Sequence, residues 1–322
     1  MSPVPADAPE TPVDRLIWLD GVLVPWERAT VHVLSHSLQR GSLIFDYMSV
    51  HETPDGPAVF RLRDHVERFL RSAELMSLPL AHDRDAIEAA ILETVRANPG
   101  ARSVKISAYL ASIEVDVVPL DDHVTLAIAA YDPGADIVRH KAKKPRYSPV
   151  LRLWIEKARR NRREDIVSPH AKVAANYASP MGAKWAAQRA GYDEILLIDQ
   201  DGFVAEGPTT NVFLVDADGS LVTPPEAKVL LGVTRSSIIE LAKHDGIPVR
   251  EERIRPERLL EAAEVFLTGT TAGVWPVGSI DGQSIGDGGA GPVSQRLRER
   301  FVQVVSGQAP AFRHWLTPAS GE

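Results

Sequence analysis

The chain has 322 residues, 44% of them hydrophobic, which is enough for two packed domains with substantial cores. It contains no cysteine, so disulfides, thiolate metal sites and a cysteine nucleophile are excluded, and a net charge of -7 argues against a nucleic-acid footprint over the whole surface. No apolar run reaches the roughly 20 residues of a membrane-spanning helix, and the opening MSPVPADAPETPVD has neither the basic start nor the apolar core of a secretory signal. The expectation is a soluble, cytoplasmic protein with neither membrane nor nucleic acid as partner.

In chain order, residues 1–14 read as a flexible arm rich in Pro, Ala and acidic side chains. Leu16 to Val24 flank Asp20-Gly21, a dipeptide suited to the positive φ angles of a tight turn, and predict a β-hairpin. A helix is predicted from about Asp64 as N-cap, with Val66, Phe69, Leu70, Ala73 and Met76 on one face. A second runs from about Asp85 to a stop at Asn98-Pro99-Gly100. Two β-rich runs follow, 103–113 and 123–131. The turn residues at 131–136 mark an interdomain connection, giving a small N-terminal domain (15–131), a loop (132–138) and a larger C-terminal domain (139–322). The basic stretch Arg159-Arg160-Asn161-Arg162-Arg163 has no aromatic neighbours and leads into Glu164 and Asp165, so it reads as a solvated loop. Beyond it come a helix over Pro180 to Ala190 and a meander of strands at 194–198, 203–205, 211–215 and 221–223. A helix from Thr234 to His244 follows, then a strand from Glu264 to Thr268 entering the turn Gly269-Thr270-Thr271-Ala272. The mixture is α+β.

Several motifs lead nowhere. Gly286-Asp287-Gly288-Gly289-Ala290-Gly291 fits the dinucleotide-binding fingerprint, but that chemistry needs a strand before it and a further strand with an acidic residue after it; Pro292 opening a terminal helix explains the text better. His32 and His36 lack a third ligand, and Asp199-Gln200-Asp201-Gly202 lacks the glutamate of a calcium loop, so no metal is expected. Four windows carry more. Lys172, among Ala171, Val173, Ala174 and Ala175, would tend on burial towards the neutral amine that builds an imine, although a surface lysine is the plainer reading. Glu206 at a strand end would, if it faces inward, need a cationic partner such as a protonated pyridine nitrogen. Gly232-Val233-Thr234 opens a helix whose free N–H groups suit a phosphate, and Gly269-Thr270-Thr271-Ala272 offers a second set of donors; a simple cap and an ordinary turn explain these two equally well.

The order and spacing of these windows resemble the class IV aminotransferases, the fold-type IV pyridoxal-phosphate enzymes, and among them the branched-chain amino acid aminotransferases. The resemblance runs from about Ile17 to Trp315. It includes Trp18-Leu19-Asp20-Gly21, Val59-Phe60-Arg61, Ala171-Lys172 with Asn176-Tyr177, Val204-Ala205-Glu206-Gly207, Gly232-Val233-Thr234-Arg235 and Gly269-Thr270-Thr271-Ala272. It implies the two-domain α+β fold of that group, pyridoxal 5'-phosphate as cofactor, a homodimer, and ping-pong transfer of an amino group from an amino acid to a 2-oxo acid. Lys172 would carry the cofactor covalently and move the proton, Glu206 would meet the pyridine nitrogen, and Tyr177 the phenolic oxygen. Arg61, Val233, Thr234 and Thr270 would hold the phosphate, Leu230 would pack on the ring, and Thr271 and Ala272 would present N–H groups to the substrate carboxylate. The substrate side departs from the family: Arg40 stands where a tyrosine is usual, and Tyr47 and Ser49 replace the glycine and arginine of F-E-G-I-R. Arg40 is therefore a candidate carboxylate ligand or a subunit-contact residue, and Tyr47 a candidate substrate residue. An apolar L-amino acid donor is expected. A D-amino acid or (R)-amine donor, a lyase of the aminodeoxychorismate type and a catalytically silent scaffold are the rival readings.

Overall fold

The structure is a computed structural model and describes residues 14–138, 148–161 and 165–320. Its first part comprises β1 (Leu16–Leu19), β2 (Val22–Pro25), α1 (His36–Arg40), β3 (Ile44–Thr53), β4 (Gly56–Phe60), α2 (Leu62–Leu75), α3 (Arg84–Ala97), β5 (Ser103–Leu110) and β6 (Val124–Tyr131). After Asp132 and a π-helical turn at Pro133–Ile137 come β7 (Leu151–Arg160), α4 (Ala175–Ala178), α5 (Met181–Arg189), β8 (Glu194–Ile198), β9 (Asn211–Val215), β10 (Leu221–Thr223), α6 (Val233–His244), β11 (Val249–Glu251) and α7 (Pro256–Leu260). The chain closes with β12 (Glu264–Gly269), β13 (Gly273–Ile280), β14 (Gln283–Ser284), α8 (Pro292–Val305) and β15 (Leu316–Pro318).

The strands form two sheets, ordered β15-β4-β3-β5-β6-β1-β2 and β11-β10-β9-β12-β13-β7-β8. The β1–β2 hairpin turns through Asp20 and Gly21, both at positive φ, as their residue types predict. Helix α2 starts two residues before the expected N-cap, because Arg61 itself takes a left-handed conformation (φ 48°) and ends β4 abruptly. Helix α3 is capped by Asp83, whose carboxylate accepts from the Ala86 N–H at 2.9 Å. The expected meander is corrected. β9 and β10 are antiparallel neighbours, but β8 runs parallel to β7 at the far edge, and residues 203–205 contribute only the bridge Ile198↔Val204. The reason is that α4 and α5 cross over between β7 and β8, and such a crossover gives parallel pairing.

The strand β7 takes in Arg159 and Arg160, which are therefore not loop; Arg162, Arg163 and the first thirteen residues lie outside the described residues. The connection at 132–138 is a capped turn, with the Asp132 carboxylate accepting from Gly134 N–H and Ala135 N–H. The division by residue number is crossed in two places. Ala171 and Val173 pack in the core of the first sheet beneath α2 and α3, and β15 pairs with β4. Among the described residues, no helix is long and apolar enough to cross a membrane.

Candidate active site

Between the sheets lies a cleft. Lys172 reaches it from an irregular strip fastened to the first sheet. Phe45 N–H donates to the Lys172 carbonyl (3.0 Å), Ala174 N–H to the Leu43 carbonyl (2.8 Å), and Lys172 N–H to Ser72 Oγ (3.0 Å). The Lys172 Nζ donates to the Tyr177 hydroxyl at 3.0 Å and looks onto the rings of Phe45 and Tyr177, which pack together with centroids 5.0 Å apart. Burial and then the Arg68 charge lower its pKa to about 7, against partial opposition from Asp46 and Glu206. The shift favours the unprotonated amine, the state in which nitrogen is a nucleophile.

Arg68, halfway along α2, lines the same cleft. Its guanidinium is held bidentately by Asp46 (2.9 and 2.8 Å) and donates to the Leu231 carbonyl at 2.9 Å. Asp46 is fully buried and is also bonded to His65 Nδ1 at 2.7 Å and to the Tyr47 N–H. Burial alone would raise the Asp46 pKa, yet the adjacent Arg68 and His65 hold it well below the usual carboxylate range. Burial pushes His65 the other way, towards the neutral ring. A single charged pair, Asp46 with Arg68, therefore sits under the cleft floor.

Across the cleft, Glu206 is buried and accepts from Leu230 N–H at 3.0 Å and Asn211 Nδ2 at 3.4 Å. Asn211 also donates to the Leu230 carbonyl. Gly232 is required here, because a Cβ on it would overlap Asn211 Oδ1. The chain then enters α6 at Val233, whose first-turn N–H groups have no intrahelical acceptors. The hydroxyls of Thr210 and Thr268 line the cleft, are buried and have no hydrogen-bond partner among the described residues. Orphaned donors, a helix start, Arg68, a poised amine and a buried carboxylate together suit a phosphorylated, cationic heteroaromatic aldehyde, so the donor set fits pyridoxal phosphate.

Of the residues singled out in the sequence, Lys172, Tyr177, Glu206, Leu230, Val233, Thr234 and Thr270 line this cleft. The expectation for Arg61 is corrected. Its guanidinium binds Asp64 (3.0 Å) and Glu240 (2.7 Å) and stacks on Trp315, away from the cleft, because its left-handed backbone aims the side chain at α6. Arg68 escapes the sequence reading, though polar His65, Arg68 and Ser72 at helical spacing interrupt the apolar face of α2 and could signal it. Arg40 donates to the Val115 carbonyl at the exposed 113–120 loop and does not line the cleft. Tyr47 donates to Ser103 Oγ at 2.6 Å on the neighbouring wall, and its carbonyl accepts from Thr270 Oγ1 at 3.4 Å. Thr271 is exposed and Ala272 partly so, at the rim and not among the lining residues.

Comparison with known proteins agrees with this geometry. The amino-transferase class IV family matches residues 43–280. A branched-chain-amino-acid aminotransferase of Salmonella typhimurium is 33% identical over 306 residues, 94% of this chain and 97% of its own, and one of Pseudomonas aeruginosa is 34% identical over 308 residues with the same coverage. Among solved structures, the branched-chain amino acid aminotransferase from Thermobaculum terrenum in its PLP-form superposes with a TM-score of 0.85 at 29% identity, covering 97% of this chain and 100% of that one. The Thermoproteus uzoniensis branched-chain aminotransferase with norvaline gives 0.85 at 32% identity, covering 95% and 99%. The chain belongs to the class IV aminotransferases.

Proposed function

We propose that the cleft binds pyridoxal 5'-phosphate and that the protein moves an amino group from a branched-chain or other apolar L-amino acid to a 2-oxo acid. The observation that carries this reading is a lysine amine with a pKa lowered to about 7 in the same cleft as a buried glutamate and an anion-binding helix start. When bound, the cofactor supplies an aldehyde carbon and an electron-accepting ring. The remaining work belongs to the chain. The Lys172 Nζ, as a free amine, would hold the cofactor at its aldehyde carbon and would move a proton on and off the substrate α-carbon. Glu206 would hold a proton at the ring nitrogen, and its own position is fixed by Leu230 N–H and Asn211. Tyr177 directs its hydroxyl at the amine. Arg68, in place of Arg61, joins Val233, Thr234 and Thr270 at the phosphate. Thr271 and Ala272 at the rim are proposed to receive the substrate carboxylate.

A D-amino acid or (R)-amine donor is the second reading. It is favoured by Tyr47, which puts a phenol on the substrate wall where the family pattern has glycine. We also propose a cytoplasmic homodimer. The loops beside Arg40 present Val33, Leu34, Val115, Val118 and Leu120 to solvent, the last 97% exposed, and such a patch suits a second copy of the chain. Arg40 is then a residue of the subunit contact.

The test is spectroscopic and chemical. The purified protein is expected to absorb visible light, to be bleached by borohydride, and to transfer amino groups to 2-oxoglutarate or pyruvate; Lys172→Ala loses both absorbance and transfer. Persistent turnover by Lys172→Ala would overturn the reading. A panel of L-amino acids, D-alanine and (R)-1-phenylethylamine separates the two donor readings.

A further inference from the structure

Two elements supply the anion-binding end of the cleft: α2 brings Arg68, and the entry to α6 brings Val233 and Thr234. Their apolar faces are buried in different cores. Val66, Phe69 and Ala73 of α2 pack with the first sheet, whereas Val233, Ile238 and Leu241 of α6 pack with the second. A groove runs between them, lined on one side by Asp64, Arg68 and Arg71 and on the other by Leu231, Val233 and Ser236. The spacing of the two elements therefore depends on polar bridges across that groove. Arg68 makes the inner bridge, donating to the Leu231 carbonyl at 2.9 Å.

Arg61 makes the outer bridge. Its Nε and Nη2 hold both carboxylate oxygens of Asp64 on α2 at 3.0 Å, while Nη1 donates to Glu240 (2.7 Å) and to Ser237 Oγ (3.3 Å) on α6. The chain of bonds goes on to the cleft, because the Ser237 hydroxyl donates at 2.8 Å to the carbonyl of Val233, the first residue of that helix. The Arg61 backbone N–H donates to the Trp315 carbonyl, and the Trp315 ring lies 4.5 Å from the guanidinium carbon. A planar fork gripped on two edges and covered on one face has little freedom, so it holds α2 and α6 at one separation.

We propose that Arg61 is a positioning residue that sets the span between Arg68 and the start of α6, and so makes the site prefer a cofactor that carries a phosphate. The inference rests on the transaminase reading and deepens it, since it names what holds the phosphate cradle at its working width. Arg61 acts through Arg68 and Val233 and touches no reacting atom. A simple weld between domains would lower stability and weaken phosphorylated and unphosphorylated cofactors alike, whereas a spacer of the cradle affects the phosphorylated one selectively.

The experiment compares the unsubstituted holoenzyme with Arg61→Met and Glu240→Gln. Each full chain is freed of cofactor by dialysis and titrated with pyridoxal 5'-phosphate, with pyridoxal and, by calorimetry, with inorganic phosphate, and Tm is followed. Arg61→Met is expected to raise Kd for pyridoxal 5'-phosphate and for inorganic phosphate about tenfold or more while Kd for pyridoxal changes by less than about twofold. Glu240→Gln, which removes only one half-exposed partner, is expected to shift the same ratio in the same direction by less. An Arg61→Met chain in which the two cofactor forms weaken equally, or neither weakens, overturns the proposal. Should Arg61→Met not fold, the ratio in Glu240→Gln decides alone. If the unsubstituted protein forms no visible chromophore with pyridoxal 5'-phosphate, the transaminase reading fails, and the calorimetry with inorganic phosphate still decides whether Arg61 sets an anion site; no uptake of phosphate there removes both.

Discussion

Asp46 is the residue whose surroundings say most about the site. Its carboxylate has no contact with solvent and binds Arg68 through two nitrogens, which fixes the guanidinium in the lining of the cleft. Removing one member of such a buried pair leaves the other uncompensated, at a cost of about 3–5 kcal/mol. Asp46→Asn is therefore expected to lower unfolding stability by about that amount at pH 7, read from urea midpoints, and to weaken cofactor retention on dialysis. The pH dependence has a definite sign. Because the folded pKa is depressed, the stabilisation is fully present above the ordinary carboxylate pKa of 3.8 and fades as pH falls below it, so the gap between variant and parent narrows under acid. A gap of the same size at pH 7 and below pH 4 would show that the stabilisation does not come from the ionised Asp46. At this scale the sequence is legible for Lys172, Glu206 and Tyr177, whose neighbours are small residues and strand ends. It misleads at Arg61, because two arginines seven residues apart compete for one role and only the backbone twist at Arg61 decides between them.

Helix α8 shows how an element is terminated from afar. Glu264, at the start of β12, accepts from the N–H groups of Val293 and Ser294 at 2.8 Å, doing for this helix what an N-cap side chain usually does. Gly291 makes room for it, since a Cβ there would overlap the Glu264 carboxyl carbon. The glycine-rich text before Pro292 is thus a passage for a carboxylate, in agreement with Pro292 at the first helical position and not with a dinucleotide site. Glu264→Ala is expected to reduce stability by about 1–2 kcal/mol while leaving KM unchanged, checked by thermal melting and steady-state kinetics. A loss of substrate affinity without a change in Tm would contradict that role. Helices with apolar faces, such as α3 with its local Asp83 cap and α6, are readable from the chain. The strands β3, β4, β7 and β13 are not, because their text mixes Asp, Pro, Gly and Arg with apolar residues and their partners lie far away in sequence.

For the whole molecule, the apolar loops around Val115 and Leu120 carry the expectation of a homodimer. Light scattering on the purified protein should give twice the mass of the 35.2 kDa chain, and Val115→Asp combined with Leu120→Asp should shift it towards a single chain. A monomer in the unsubstituted protein would remove the subunit role given to Arg40. The sheet order at this scale is beyond reach from the sequence, since both the crossover at α4 and α5 and the return of β15 to β4 are long-range choices.

The strip at 171–174 is bonded to Leu43, Phe45 and Ser72, whereas Glu206 is fastened to β8 of the opposite sheet, its carbonyl accepting from Leu197 N–H. Amine and carboxylate are consequently lodged on different walls, although the chain writes both in its second half. A hybrid gene joining the front of one relative to the back of another would place the reactive lysine on foreign ground. Such a graft holds its register only if residues 43–45 and 72 travel with it.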